Sequence, residues 1–215
     1  MLVRIENATK TIKGATILEN ISISFEKGRI YGLRGKNGSG KTMLLRLIAG
    51  LILPTSGSVY IDEQELGKDI SFPPSIGVLI ENPSFISNYT GFANLKALAS
   101  IQHRINDVEI EESIRGVGLN PSDRRPFRKY SLGMKQRLGI ACAVMEKPDI
   151  VLLDEPYNAL DDDAIALTTG IIREQRQRGA LVILASHEWE AIRDIVDCAI
   201  DMKNGRIIEK PIQTN

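Results

Sequence analysis

The sequence predicts an α/β fold on a mixed, mainly parallel sheet, interrupted by a helical insert. Three observations predict it. Two wholly aliphatic runs, Val151 to Leu153 and Leu181 to Ala185, read as buried strands joined by a helix over roughly Asp163 to Gln177. Buried strands alternating with helices indicate a parallel sheet covered on both faces. Short β-rich runs lead the chain, and its middle third changes to helical patterns.

Taken in order, Ile21 to Phe25 alternates apolar and polar residues, and Ile30 to Leu33 follows Lys27-Gly28. Lys41 to Ile52 places Leu44, Leu45, Leu47, Ile48, Leu51 and Ile52 at helical spacing, with Pro54 and Gly57 as its stop. Ser58 to Ile61 and Ile76 to Ile80 read as strands. Helices are expected from Phe92 to about Gln102, Asp107 to about Val117, and Gly133 to Met145. In the tail, Cys198 to Glu209, Lys203-Asn204-Gly205 is a hairpin-turn signal between two strand-like runs. The expectation is one domain over residues 1–215, with a helical subdomain from about Ser84 to Met145.

Composition narrows the function classes. With 215 residues and 43% hydrophobic content, the chain can bury a real core. Lys plus Arg and Asp plus Glu both number 27, so no net charge supports a bulk electrostatic nucleic-acid binder. Five Phe, five Tyr and one Trp are too few for base-stacking platforms. The basic cluster Arg124, Arg125, Arg128, Lys129, Lys135 and Arg137 reads as a solvated face, and no nucleic-acid partner is expected. Cys142 and Cys198 lack CxxC spacing and read as buried thiols. No signal peptide is expected from MLVRIENATK, and the longest uncharged run, Leu47 to Ile61, is too broken to span a bilayer.

The chemistry concentrates at Gly35-Lys36-Asn37-Gly38-Ser39-Gly40-Lys41-Thr42, which fits GxxxxGK[ST] between a predicted strand and helix. Glycines let the backbone curl so that successive N–H groups point at phosphate oxygens, and the helix dipole aims at the same anion. Lys41 supplies a cation for the outer phosphates, and the Thr42 hydroxyl is placed to ligate Mg²⁺. The apolar strand ending in Asp154 and Glu155 supplies a second acidic site. Asp154 is expected in the Mg²⁺ shell, with Glu155 as proton acceptor for an attacking water. His187 follows a strand, where ligands collect in α/β sheets, and is expected at the terminal phosphate; His103 reads as surface.

Together with Tyr130-Ser131-Leu132-Gly133-Met134, these motifs resemble the ATP-binding cassette (ABC) ATPases, specifically the nucleotide-binding subunits of ABC transporters. The resemblance runs from about residue 2 to 209, in the order P-loop, helical insert, signature, acidic strand, His. It implies the ABC ATPase fold: a P-loop NTPase core, an N-terminal antiparallel β subdomain and the helical insert. It implies ATP and Mg²⁺ as ligands, and an ATP-dependent homodimer or heterodimer of cassettes stacked head to tail. Ser131 and Gly133 are expected to touch the γ-phosphate bound to the other copy, with Asp161, in Asn158-Ala159-Leu160-Asp161, communicating across the dimer. Glu155, His187 and Lys41 are expected as the catalytic set. A separate transmembrane permease is implied as partner, which places the protein in the cytoplasm, peripheral on the inner face of the cell membrane. Phe85, Ile86, Tyr89 and Phe92 are candidates for a groove that grips it, or for ordinary insert core.

Three departures stand out. Tyr130, Leu132 and Met134 replace the leucine, first glycine and glutamine of the usual LSGGQ signature. Glu81 stands where the family usually has a glutamine near Mg²⁺; a carboxylate there either binds the metal more strongly or repels phosphate. This glutamate, with IGVLIENPSF and YSLGMKQRLGIA, resembles the bacitracin-resistance and lantibiotic-immunity branch of exporters. Ile12 occupies the region where the family stacks an aromatic on adenine, so weaker base selectivity is expected. The alternative, a soluble ABC ATPase acting on DNA or ribosomes, lacks its usual coiled coil or second cassette in this chain.

Overall fold

The computed structural model describes residues 3–208 and 212–213. The chain begins with β1 (Val3–Ile12), β2 (Ala15–Phe25), β3 (Ile30–Arg34), α1 (Lys41–Ile48), β4 (Ser56–Ile61), β5 (Gln64–Glu65) and β6 (Ile76–Leu79). The insert helices α2 (Gly91–Gln102), α3 (Asp107–Gly116) and α4 (Leu132–Val144) follow. Then come β7 (Ile150–Asp154), α5 (Asp162–Gln177), β8 (Leu181–Ser186), α6 (Trp189–Ile192), β9 (Cys198–Lys203), β10 (Arg206–Ile207) and β11 (Ile212–Gln213).

Two sheets form. An antiparallel one runs β2-β1-β4-β5, and a mixed one runs β10-β9-β3-β8-β7-β6, with β11 pairing β9. Within the second sheet, β9, β3, β8, β7 and β6 are parallel neighbours. The aliphatic reading of β7 and β8 holds: every residue of both strands is buried. Their side chains alternate between two cores. Ile150, Leu152, Leu181 and Ile183 face α1 and the antiparallel sheet. Val151, Leu153, Val182 and Leu184 face α5 and the insert.

The structure extends the sequence reading at three places. β1 escapes a period-two search because its register on β2 shifts between Ile5 and Ala8, around Asn7 at φ 47°. This bulge breaks the alternation. α1 ends at Ile48, not Ile52. Gly50 takes φ 73°, its N–H bonds Leu47 O, and Leu51 N–H bonds Arg46 O, so a left-handed cap stops the helix before Pro54. The tail hairpin turns at Asn204-Gly205 as expected, both at positive φ; the tail's last expected residue, Glu209, lies outside the described residues.

Side-chain caps delimit the insert helices. Thr90 caps α2, Asn106 and Glu109 form a capping box on α3, and Ser131 caps α4. Among the described residues no helix is long and apolar enough to cross a membrane.

Candidate functional site

Register brings the predicted residues to one edge of the mixed sheet. Arg34 pairs with Ser186 and Asp154 with Ala185, so β3, β7 and β8 end side by side. Gly35 to Thr42 therefore leaves the sheet next to the Asp154-Glu155 turn and His187, the arrangement in which ligands collect outside strand carboxyl ends.

The loop's glycines are sterically required. A Cβ on Gly35 meets Met202 O at 2.4 Å and Ser39 Oγ at 2.5 Å. Gly40 sits at φ 106° as the residue that opens α1, and Gly38 takes φ 78°. Lys41, buried, reaches back so that Nζ donates to Gly35 O at 2.6 Å, which spans the loop's interior. The cleft over this loop, about 540 Å³, is walled by Asn37 to Met43 and by Glu81, Asp154 and Glu155. Lys36 does not line it but faces a separate hollow with Arg34 and Lys203.

Asp154 Oδ2 accepts a 2.7 Å hydrogen bond from Thr42 Oγ1, which joins two of the proposed metal ligands directly. Burial pushes the Asp154 carboxyl above its ordinary range, and the neighbouring charges of Glu155 and Glu81 push the same way against the Thr42 bond and Lys41. Glu155 stands in the left-handed region at φ 48°, rare for a residue with a Cβ. Five hydrogen bonds hold it there. Its N–H bonds Ala185 O at 2.8 Å, and its carbonyl accepts from Gln136 Nε2 at 2.9 Å and from Asn158 N–H at 3.1 Å. Its carboxylate accepts from the His187 backbone N–H at 2.8 Å and from Ser186 Oγ at 3.1 Å. His187 Nδ1 lies 2.8 Å from the same Oε1, so base and histidine are already paired.

Ser131, Gly133 and Asp161 are not in this cleft. They line a second concavity, about 340 Å³, with Leu132, Arg137 and Ala159. Ser131 Oγ accepts from Met134 N–H at 3.2 Å, and Asp161 caps α5 by accepting from Ala164 N–H at 2.9 Å. Gly133 has no room for a side chain, since a Cβ there lies 2.6 Å from Ala159 O. The N-terminus of α4 thus opens beside the Asn158 to Asp161 loop.

Ile12 lies at the end of β1, 39% exposed and apart from the cleft wall. Two residues explain this: Lys13 and Gly14 turn tightly at positive φ, so β2 folds straight back. Ile17 of β2 stands in the cleft wall instead. Sequence reasoning also missed Gln136 and Arg46. Gln136, buried one turn into α4, donates to Glu155 O and to Pro156 O at 3.3 Å, which ties the insert to the acidic strand. Arg46 pairs with Glu81 at 2.7 Å. Neither had a motif signal, and Gln136 lies between Lys135 and Arg137 in a polar run that reads as solvated.

The residues present fit a polyphosphate with a divalent cation. Ser39 Oγ is buried in the loop without a hydrogen-bond partner among the described residues, which suits an incoming acceptor. Thr42, Asp154 and Glu81 offer oxygen donors on one wall, the hard set that suits Mg²⁺.

A family model described as ABC transporter matches residues 18–158. YybJ of Bacillus subtilis (strain 168), an uncharacterized ABC transporter ATP-binding protein, is 50% identical over 96% of this chain and 94% of its own length. The bacitracin transport ATP-binding protein BcrA of Enterococcus faecalis is 36% identical over 97% of this chain and 68% of its own. The lantibiotic transport ATP-binding protein SrtF of Streptococcus pyogenes is 33% identical over 96% and 89%. Among solved structures, the dimeric bacterial ABC transporter cassette MJ0796 superposes with a TM-score of 0.90 at 24% identity, covering 99% of both chains. A post-hydrolysis dimer of MJ0796 bound to ADP and Pi gives 0.89 at 24% identity and the same coverage.

Proposed function

This chain belongs to the ABC transporter family as one of its ATP-binding proteins, and from that premise we propose how its residues hydrolyse ATP and drive a membrane partner. The carrying observation is the strained Glu155, held by five hydrogen bonds and paired to His187 beside the phosphate loop.

The loop N–H groups and Lys41 bind the phosphates of ATP, and the buried Ser39 hydroxyl joins them. Thr42, Asp154 and Glu81 would hold Mg²⁺, which when bound would neutralise charge on the phosphates. Glu155 takes a proton at its carboxylate from the water that attacks the γ-phosphorus, and His187 orients that water and the terminal phosphate. The pairing of His187 Nδ1 with Glu155 keeps both groups aimed at one point before the nucleotide arrives. Ile17 lies against the base in place of an aromatic stack.

The signature residues sit in a second concavity, so the site is completed by another cassette. Ser131, Gly133 and the N-terminus of α4 cover the γ-phosphate bound to that partner, and Asp161 senses it. MJ0796, a structural relative, is a dimer. The partner cassette is a second copy of this chain or a related chain.

Work on a membrane requires a separate transmembrane permease, which places the protein at the inner face of the cell membrane. Of the four groove candidates, Ile86 and Tyr89 are exposed, whereas Phe85 and Phe92 pack into the insert core, Phe85 edge-on to Phe127 at 5.1 Å. The transport relatives BcrA and SrtF support a peptide antibiotic or similar compound as cargo, and they do not favour the soluble alternative on DNA or ribosomes.

Replacing Glu155 with Gln tests the hydrolytic role. ATP binding should persist while steady-state hydrolysis falls by about 10²- to 10⁴-fold. Equal hydrolysis by both forms would remove Glu155 from the mechanism.

A further inference from the structure

Glu81 brings a third carboxylate to a cleft that already holds Asp154 and Glu155. Something must offset that charge, because the same cleft receives phosphate. The structure supplies it from α1. Thr42 and Arg46 are four residues apart on this helix, so they project from one face. Thr42 holds Asp154 at 2.7 Å, and Arg46 Nη2 holds Glu81 Oε1 at 2.7 Å. One helix face thus grips both acids of the proposed metal set.

Glu81 lies just beyond the end of β6, with its backbone in the left-handed region at φ 60°. A side chain is strained there, and the contact with Arg46 is what fixes its direction. The pair is too exposed to matter for folding: Arg46 and Glu81 side chains are 34% and 60% accessible. Exposed ion pairs of this kind contribute little stability. Their effect is on where the carboxylate points and on how much charge the cleft carries.

We propose that Arg46 is the positioning residue for Glu81: it holds the extra carboxylate at the cleft edge, offsets its charge, and competes with the divalent cation for it. This rests on the proposed ATP and metal site. The carboxylate then has two states. On Arg46 it leaves the cleft less negative for incoming phosphate; released, it turns to the metal. The two consequences of a glutamate at this position, stronger metal binding and phosphate repulsion, become the two sides of one exchange.

The test is a Mn²⁺ titration of the full chain with stoichiometric AMPPNP, with free Mn²⁺ read by electron paramagnetic resonance. Arg46→Ala should bind Mn²⁺ more tightly by up to about five-fold, the scale of one exposed ion pair. Arg46→Lys should return the affinity toward the original value. In a Glu81→Gln background the Arg46 substitution should change nothing. Arg46→Gln, which keeps the first three carbons of the side chain and removes the charge, serves if the alanine form fails to fold. An unchanged affinity in Arg46→Ala, or the same change with and without Glu81, overturns the proposal. Failure of the unmodified chain to bind AMPPNP overturns instead the nucleotide site itself, so the two failures are distinct.

Discussion

At the scale of single residues, the site stores tension that the rest of the chain restrains. Asp154 shows it in its protonation. Burial raises its folded-state value above the ordinary 3.8, so the folded protein holds this proton more tightly than the unfolded chain. The penalty is absent below 3.8 and grows as pH rises through the elevated folded value. At neutral pH the charged Asp154 therefore works against folding. Asp154→Asn should raise the Tm at pH 7 and leave it nearly unchanged at pH 3, while hydrolysis is lost; thermal melts at both pH values check this. Gln136 acts in the opposite direction. Gln136→Leu leaves the Pro156 carbonyl unpaired and the Glu155 carbonyl with Asn158 N–H alone, at about 1–3 kcal/mol, and should lower the Tm by several degrees. It should also slow hydrolysis, because Glu155 then loses one of its restraints; a Tm change without a rate change would confine Gln136 to folding. With Ile17 the residue proposed against the base, GTP should compete with ATP within about ten-fold, and strong ATP preference in nucleotide titrations contradicts this.

At the scale of elements, α4 carries both the signature and the link to the acidic strand. Its first turn serves the second concavity through Ser131, and its second turn serves the first cleft through Gln136. Ser131→Ala removes the helix cap and should cost about 1 kcal/mol of stability. Because Ser131 lies away from the phosphate loop, nucleotide binding by the isolated chain should stay unchanged while hydrolysis falls. Reduced AMPPNP binding by that variant would place Ser131 in the wrong half of the site. These elements also show what was legible beforehand. β7, β8 and α4 were readable because burial on both faces and helical spacing leave plain patterns. The GxxxxGK[ST] loop was readable because its steric needs admit almost no other spelling. β1 was hidden by the bulge at Asn7, and the end of α1 by a glycine cap that outranked the proline downstream. Arg46 and Gln136 were illegible for another reason: a pairwise contact between distant segments has no local period.

At the scale of the whole molecule, one fold carries two concavities, which the proposed function reads as complementary halves of a site. One carries the phosphate loop and three acids; the other carries the N-terminus of α4. On the proposed function, ATP is the joint between two cassettes, and closing or opening that joint is the mechanical output. Ile86 and Tyr89 at the start of the insert, and Phe72, Val78 and Ile101, are exposed apolar side chains. The most direct measurement is recovery of a tagged Glu155→Gln form from membranes in Mg-ATP, followed by mass spectrometry. A polytopic membrane protein in stoichiometric amount is the expected result, and it identifies the route to the cargo. Recovery with ribosomes, with DNA or with no partner contradicts a transporter motor.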